Sequence, residues 1–173
     1  KYTITITPKM AFGTGHHQTT SLMMEVMQKE EKFIRDHKVL DMGCGTGILA
    51  ILAAKMKSAT PVHAIDIDPT AVFSVRENAW KNRVHEKIDS RCGDASLIQA
   101  GKYDIILANI NRNILLQDMA TYTRGLLPGG VLVISGFYTQ DLQMLTEEAS
   151  RCGLEYEYHL EKENWVAAKF TKK

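Results

Sequence analysis

Val39-Leu40-Asp41-Met42-Gly43-Cys44-Gly45-Thr46-Gly47 decides the fold. A short apolar run carries an acid near its end and passes straight into three glycines at alternate positions. The run reads as a buried strand. The glycines read as a loop that admits positive φ and lets a ligand lie close to the backbone. After the loop, Ile48, Ile51, Leu52 and Met56 recur at helical spacing, which predicts a helix over Gly47–Lys57. Such a helix points its N–H groups and positive dipole end at the loop, a place suited to a phosphate or a carboxylate.

Working outward, strands and helices alternate. Lys38–Asp41, Val62–Ile67, Ile88–Cys92, Tyr103–Asn109 and Gly130–Ser135 are the expected strands, the last introduced by Leu127-Pro128-Gly129-Gly130. Several are continuous apolar runs, as in parallel strands covered on both faces. Helices are expected over Thr19–Arg35, from Pro69 onward, over Asn113–Leu126 and over Gln140–Cys152. Leu154–Glu161 and Asn164–Thr171 have no room for a helix between them, so they form an antiparallel hairpin turning at Lys162-Glu163. The pattern predicts an α/β fold: an open, Rossmann-like, mostly parallel sheet with helices on both faces and a C-terminal hairpin. That hairpin is characteristic of the class I methyltransferase sheet. Residues 1–173 are expected to be one domain. Tyr2–Thr7 alternates like an opening strand and leads into a glycine-rich loop that reaches residue 17.

Composition narrows the functional classes. In 173 residues, 21 Lys and Arg against 20 Asp and Glu leave a net charge of +1, so no basic excess points to nucleic acid. Cys44, Cys92 and Cys152 are scattered, form no CxxC pair, and are expected to be reduced thiols of a cytoplasmic protein. No apolar run suggests a membrane span. The chain opens on Lys1 with a strand pattern already under way, so a piece of a longer protein is expected.

Two cofactors compete for the loop. Gly45-Thr46-Gly47-Ile48-Leu49-Ala50 satisfies G-x-G-x-x-A, the dinucleotide pattern, and Asp66 follows at the distance of a ribose-binding acid. S-adenosylmethionine also contains adenosine and uses the same acid. Asp41 favours S-adenosylmethionine, because a carboxylate there balances a cationic methionine end and repels a pyrophosphate. The short chain and the terminal hairpin point the same way. Asp66 is expected on the ribose hydroxyls and Ile67 against the adenine face. Asp68 is expected to be an N-cap, and Asp94 either meets the adenine amino group or caps a helix. His16 and His17 are adjacent, lack metal-pair spacing, and leave a general-base role open; no metal is expected. Trp80 and Trp165 read as packing residues, and Lys29-Glu30-Glu31-Lys32 as a solvated helix end.

Met10-Ala11-Phe12-Gly13-Thr14-Gly15-His16-His17-Gln18-Thr19-Thr20 resembles the segment before the glycine loop in bacterial ribosomal protein methyltransferases that act on large-subunit protein eleven. The likeness continues through Val39–Ala53, Asp66–Pro69, Ala108-Asn109-Ile110, Pro128-Gly129-Gly130, Ser135-Gly136 and Glu161–Trp165, so it covers essentially the whole chain. The Phe12 segment together with Asn109-Ile110 is more specific than the glycine loop. The resemblance implies cofactor contacts at Thr20, Gly43, Asp66 and Asn109. It also implies methyl transfer to lysine side-chain amines and an α-amine of a large-subunit ribosomal protein. Asn111-Arg112-Asn113 departs from the small residues frequent in relatives, which puts the acceptor side in question. Family members carry an N-terminal docking domain, expected to be absent here.

From these strands the expected site gathers Gly43, Gly45, Gly47, Asp41, Asp66, Ile67 and Asp94 around the cofactor. Asn109 is placed either at the reacting centre or on the methionine end. Phe12 to Thr20 is expected to be a lid with Phe12 near the active centre. A methyltransferase for RNA or a small molecule, a cofactor-binding domain without catalysis, and a NAD-linked enzyme remain as alternatives.

Overall fold

A computed structural model describes residues 2–7 and 17–173. Its seven strands form one sheet in the order β3-β2-β1-β4-β5-β7-β6. The strands are β1 (Val39–Met42), β2 (Val62–Asp66), β3 (Ile88–Cys92), β4 (Tyr103–Asn109), β5 (Leu126–Tyr138), β6 (Leu154–Lys162) and β7 (Trp165–Lys172). Strands β1 to β5 pair in parallel, and β7 is antiparallel to both β5 and β6. Every residue of β1 is buried, as its unbroken apolar run requires of a strand covered on both faces.

Helices cover both faces. On one lie α1 (His17–Lys29), α3 (Ile48–Lys55) and α4 (Pro69–Lys81), packed with Val39, Ala64, Ile105 and Leu107. On the other lie α5 (Arg112–Gly125) and α6 (Leu142–Arg151), packed with Leu40, Ile65, Ile106 and Ile134. The alternating register of β1, with Val39 on one side and Leu40 on the other, divides the core in two.

Several local expectations are corrected. The helix expected over Thr19–Arg35 is two helices, α1 and the short α2 (Glu31–Ile34), with non-helical backbone at Glu30. Glu30 is no solvated end: its carboxylate accepts from Tyr158 Oη at 2.8 Å and pairs with Lys169 Nζ at 3.0 Å, which fastens α1 to the hairpin. Trp80 does not pack inside. It is 66% exposed and stacks flat on His85, with ring centroids 3.7 Å apart. Tyr2–Thr7 is extended but belongs to no strand. Its alternating burial is real, since Tyr2, Ile4 and Ile6 pack on the core, yet its backbone partners are side chains of Asn78 and Asn82, in and just after α4. Strand β5 also starts earlier than expected: Leu126 pairs with Tyr103 and Val131 with Ile105, so residues 127–130 bulge out between two ladder segments. The hairpin turns at Glu163-Asn164, both at positive φ, one residue beyond the expected turn.

Candidate active site

Parallel pairing brings the carboxyl ends of β1 to β5 to one edge. The registers Met42↔Ile65 and Met42↔Ala108 set the next positions, Gly43, Asp66 and Asn109, side by side. Cys92 pairs with Asp66 and Ser135 with Asn109, which extends the row across five strands. The row lies where strand order reverses about β1 and β4, the crevice that open α/β sheets use for ligands.

The glycine loop closes on itself before it meets any ligand. The N–H groups of Gly43 and Cys44 both donate to Ile65 O, and that of Gly47 donates to Cys44 O at 2.8 Å. Gly45 N–H donates to Asp66 Oδ2 at 2.9 Å, while Asp66 Oδ1 accepts from Asp68 N–H at 3.0 Å. Most amides of the loop itself are thus satisfied within the protein. Among the described residues, Thr46, Ile48 and Leu49 are the loop and first-turn amides left without a protein acceptor. Glycine is required at 43 on two grounds: φ is +73°, and a Cβ would lie 2.8 Å from Ile110 Cγ1. At Gly45 a Cβ would meet nothing within 4 Å, so this is where the loop faces open space.

Asp41 departs from its expected role. It is 1% exposed and lies beneath the loop, where Oδ2 accepts from Ala50 N–H, in the first turn of α3, at 3.1 Å. It staples helix to strand and does not reach the open side. Burial drives its pKa up to about 7; the Ala50 bond opposes the rise and the nearby Asp66 charge adds to it.

The remaining expected residues fall as follows. Ile67, directly after Asp66, is an apolar side chain 66% exposed. Asp68 caps α4 through Thr70 N–H at 2.9 Å, as expected. Asp94 follows β3 and caps the 3₁₀ turn Ala95–Leu97, accepting from Ser96 N–H at 2.9 Å and from its hydroxyl at 2.5 Å. These bonds hold the Asp94 carboxyl below the usual range, and its exposure leaves it open to a ligand as well. Asn109 is half-buried, and its side-chain amide has no partner among the described residues. Ile110, which follows, is held by Ser135 O through its N–H and flanked by Gly43 and Gly136. Thr20 is half-buried in the first turns of α1, a stretch fastened to the hairpin by Gln18–Glu163 at 2.8 Å. Of the expected lid, Phe12 to His16 lie outside the described residues, as does the side chain of His17, while Gln18, Thr19 and Thr20 belong to α1 and not to a loop.

Among the described residues no Lys or Arg stands at 43–47, 67–68, 93–94 or 110–111, directly after β1, β2, β3 and β4; Arg112, the first residue of α5, is paired with Asp141 at 3.0 Å. Asn78 was missed. It is an amide with no exposure in the middle of α4, and it donates to Thr46 O of the glycine loop at 2.9 Å. Its signal in the sequence is Asn78 and Asn82 at i and i+4 on a helix face otherwise occupied by Ala71, Val75 and Ala79.

The sheet order, the antiparallel hairpin and the glycine-loop row define a class I methyltransferase fold, Rossmann-like and mostly parallel. A family model described as Ribosomal protein L11 methyltransferase (PrmA) matches residues 1–173, and the chain belongs to that family. A relative of that name in Phocaeicola vulgatus is 47% identical over all of this chain and 60% of its own length. One in Porphyromonas gingivalis is 52% identical over 96% of this chain and 56% of its own length. The chain thus spans about 60% of the length of the curated relatives it matches. The crystal structure of a ribosomal protein L11 methylase from Lactobacillus delbrueckii subsp. bulgaricus superposes with a TM-score of 0.83. That match has 28% identity and covers 92% of this chain and 81% of the other.

Proposed function

We propose that the chain is the catalytic domain of an S-adenosylmethionine-dependent methyltransferase acting on lysine ε-amines and an α-amine of ribosomal protein L11. The observation that carries the cofactor is the carboxyl-edge row. It joins open backbone at Gly45, the Asp66 carboxylate and the partnerless Asn109 amide, with Asp41 below and no Lys or Arg at 43–47, 67–68, 93–94 or 110–111. An acidic, cation-poor notch suits a sulfonium and disfavours a pyrophosphate. Membership of the family supports the same cofactor and substrate. Asp66 keeps lone pairs for two ribose hydroxyls beyond the two amides it already accepts. Ile67 offers its bare apolar surface to adenine, with Asp94 at the amino group. The free amides of Thr46 and Ile48 are placed for the methionine carboxylate. Thr20 and Phe12 complete the cofactor contacts.

S-adenosylmethionine supplies, when bound, a methyl group on a positively charged sulfur. The protein must present a neutral amine to it, although a free lysine amine has a pKa of about 10.4. Asn109 presents that amine. Its side-chain oxygen accepts a hydrogen bond from the amine, favours a lone pair turned inward, and fixes its orientation. Among the described residues no helix is long and apolar enough to cross a membrane.

The test is transfer of a labelled methyl group to purified ribosomal protein L11, by this chain and by a full-length relative, with Asn109→Ala beside each. Label on lysine and α-amines that falls at least tenfold in the variant is expected. Label appearing on RNA, or protein label indifferent to Asn109→Ala, would overturn the reading.

A further inference from the structure

Asn78 joins two parts of the molecule that sequence keeps 39 residues apart, Thr7 and Thr46. A buried amide must satisfy two donor hydrogens and an acceptor. Its Nδ2 donates to Thr46 O at 2.9 Å and lies 3.4 Å from Ser74 Oγ. Its Oδ1 accepts from Thr7 N–H at 2.9 Å. One turn on, Asn82 holds the same segment from both sides: Oδ1 accepts from Thr5 N–H at 2.8 Å, and Nδ2 donates to Thr5 O at 2.6 Å. Lys81 adds a bond to the Thr7 hydroxyl. Both asparagines therefore fasten the extended segment to α4, but of the two Asn78 alone also grips the glycine loop.

That grip falls on the most adjustable part of the loop. Thr46 sits between Gly45 and Gly47, both at positive φ. The Thr46–Gly47 peptide is held at both ends, its carbonyl by Asn78 and its N–H by Cys44 O. Holding this peptide sets the direction of the neighbouring Thr46 and Ile48 amides, which lack protein acceptors. We infer that Asn78 is a positioning residue: it fixes the glycine loop in its cofactor-binding form and couples that form to docking of the Tyr2–Thr7 segment. The inference rests on the cofactor reading given above.

Calorimetry with S-adenosylmethionine and amide hydrogen exchange at Gly45 and Gly47, the latter without cofactor, test it on three variants. Asn78→Asp keeps the acceptor for Thr7 and removes the donor to Thr46. Asn82→Ala releases Thr5 and removes the bond from Asn82 Nδ2 to Asn78 O, but leaves the Asn78 side chain and its bond to Thr46 in place. Thr7→Pro removes the N–H that Asn78 accepts, together with the hydroxyl that Lys81 meets, and replaces no buried residue. Asn78→Asp is expected to weaken binding about tenfold, the effect of one well-placed buried hydrogen bond, and to speed exchange in the loop. Asn82→Ala is expected to lower Tm yet bind within about twofold of the native chain. Equal losses in these two variants, or native binding and exchange in Asn78→Asp, would overturn the inference. Should Asn78→Asp fail to fold, Thr7→Pro decides: faster exchange at Gly45 and Gly47 supports the coupling, and unchanged exchange refutes it. A native chain that does not bind S-adenosylmethionine defeats the cofactor reading instead, and the exchange measurement then decides on Asn78 alone.

Discussion

Replacing Asp41 by Asn isolates the electrostatic cost of building the glycine loop over a buried acid. The side chain keeps its size and an oxygen to accept from Ala50 N–H, but loses its ability to ionise. In the unfolded chain the carboxyl titrates near 3.8, while in the folded protein burial, set against the Ala50 bond and reinforced by Asp66, lifts it to about 7. Between those values the folded state binds a proton that the unfolded state has released. The native protein must therefore lose stability as pH rises through this window, and lose little more above it. From pH 5 to pH 8 the loss from this one group is about 2 to 3 kcal/mol. Asp41→Asn does not carry this dependence. Urea unfolding of both proteins at pH 5, 6.5 and 8 gives the difference between them, in which the other titrating groups largely cancel. The variant should gain on the native protein by about 2 to 3 kcal/mol across that range. A difference that stays flat would show that the acid is not shifted upward. A difference of opposite sign would show that the Ala50 bond outweighs burial.

Three other outcomes follow from the geometry. Gly43→Ala meets both positive φ and a Cβ contact at 2.8 Å to Ile110, whereas Gly45→Ala meets positive φ alone. The first should destabilise by about 2 to 3 kcal/mol and the second by about 1 kcal/mol, compared by thermal unfolding. Glu163→Asn with Asn164→Gly matches the turn at φ 49° and 74° but gives up the exposed side-chain bonds of Glu163 with Gln18 and of Asn164 with Thr139, so the net gain, read from the urea midpoint, should be no more than about 0.5 kcal/mol. Asn109→Ala should leave Tm within about 1 °C, since its amide has no intramolecular partner among the described residues, while methyl transfer falls.

Most of the sheet was legible because buried parallel strands need apolar runs, and β4 begins and ends where its run does. Strand β3, Ile88-Asp89-Ser90-Arg91-Cys92, has the bounds expected of it without such a run, as its largely exposed position at the sheet edge allows. What the sequence hid was partner identity. Period-two alternation at Tyr2–Thr7 reports one-sided burial, and such burial is as compatible with asparagine side chains as with a ladder. Leu126 could not be joined to β5 by inspection, since Pro128-Gly129-Gly130 stops any continuous reading, and the pairing resumes only by register with β4. Within the site, Gly43, Asp66 and Asn109 were readable because each ends or directly follows a strand, and parallel pairing then aligns strand ends. The fate of Asp41 was not, because an acid near a strand's end can face the opening or dive under the helix. Only the position of Ala50 N–H selects between them. Asn78 was hidden for the same reason, its role being set by a segment far away in the chain.

The central claim is that the carboxyl-edge row is an S-adenosylmethionine site organised by Asp66. Calorimetry of the chain with S-adenosylmethionine and, separately, with NAD tests it most directly, with Asp66→Ala as the control. Saturable heat with S-adenosylmethionine, none with NAD, and an affinity at least tenfold weaker in Asp66→Ala are expected. Binding of NAD in preference, or S-adenosylmethionine affinity untouched by Asp66→Ala, would contradict the account.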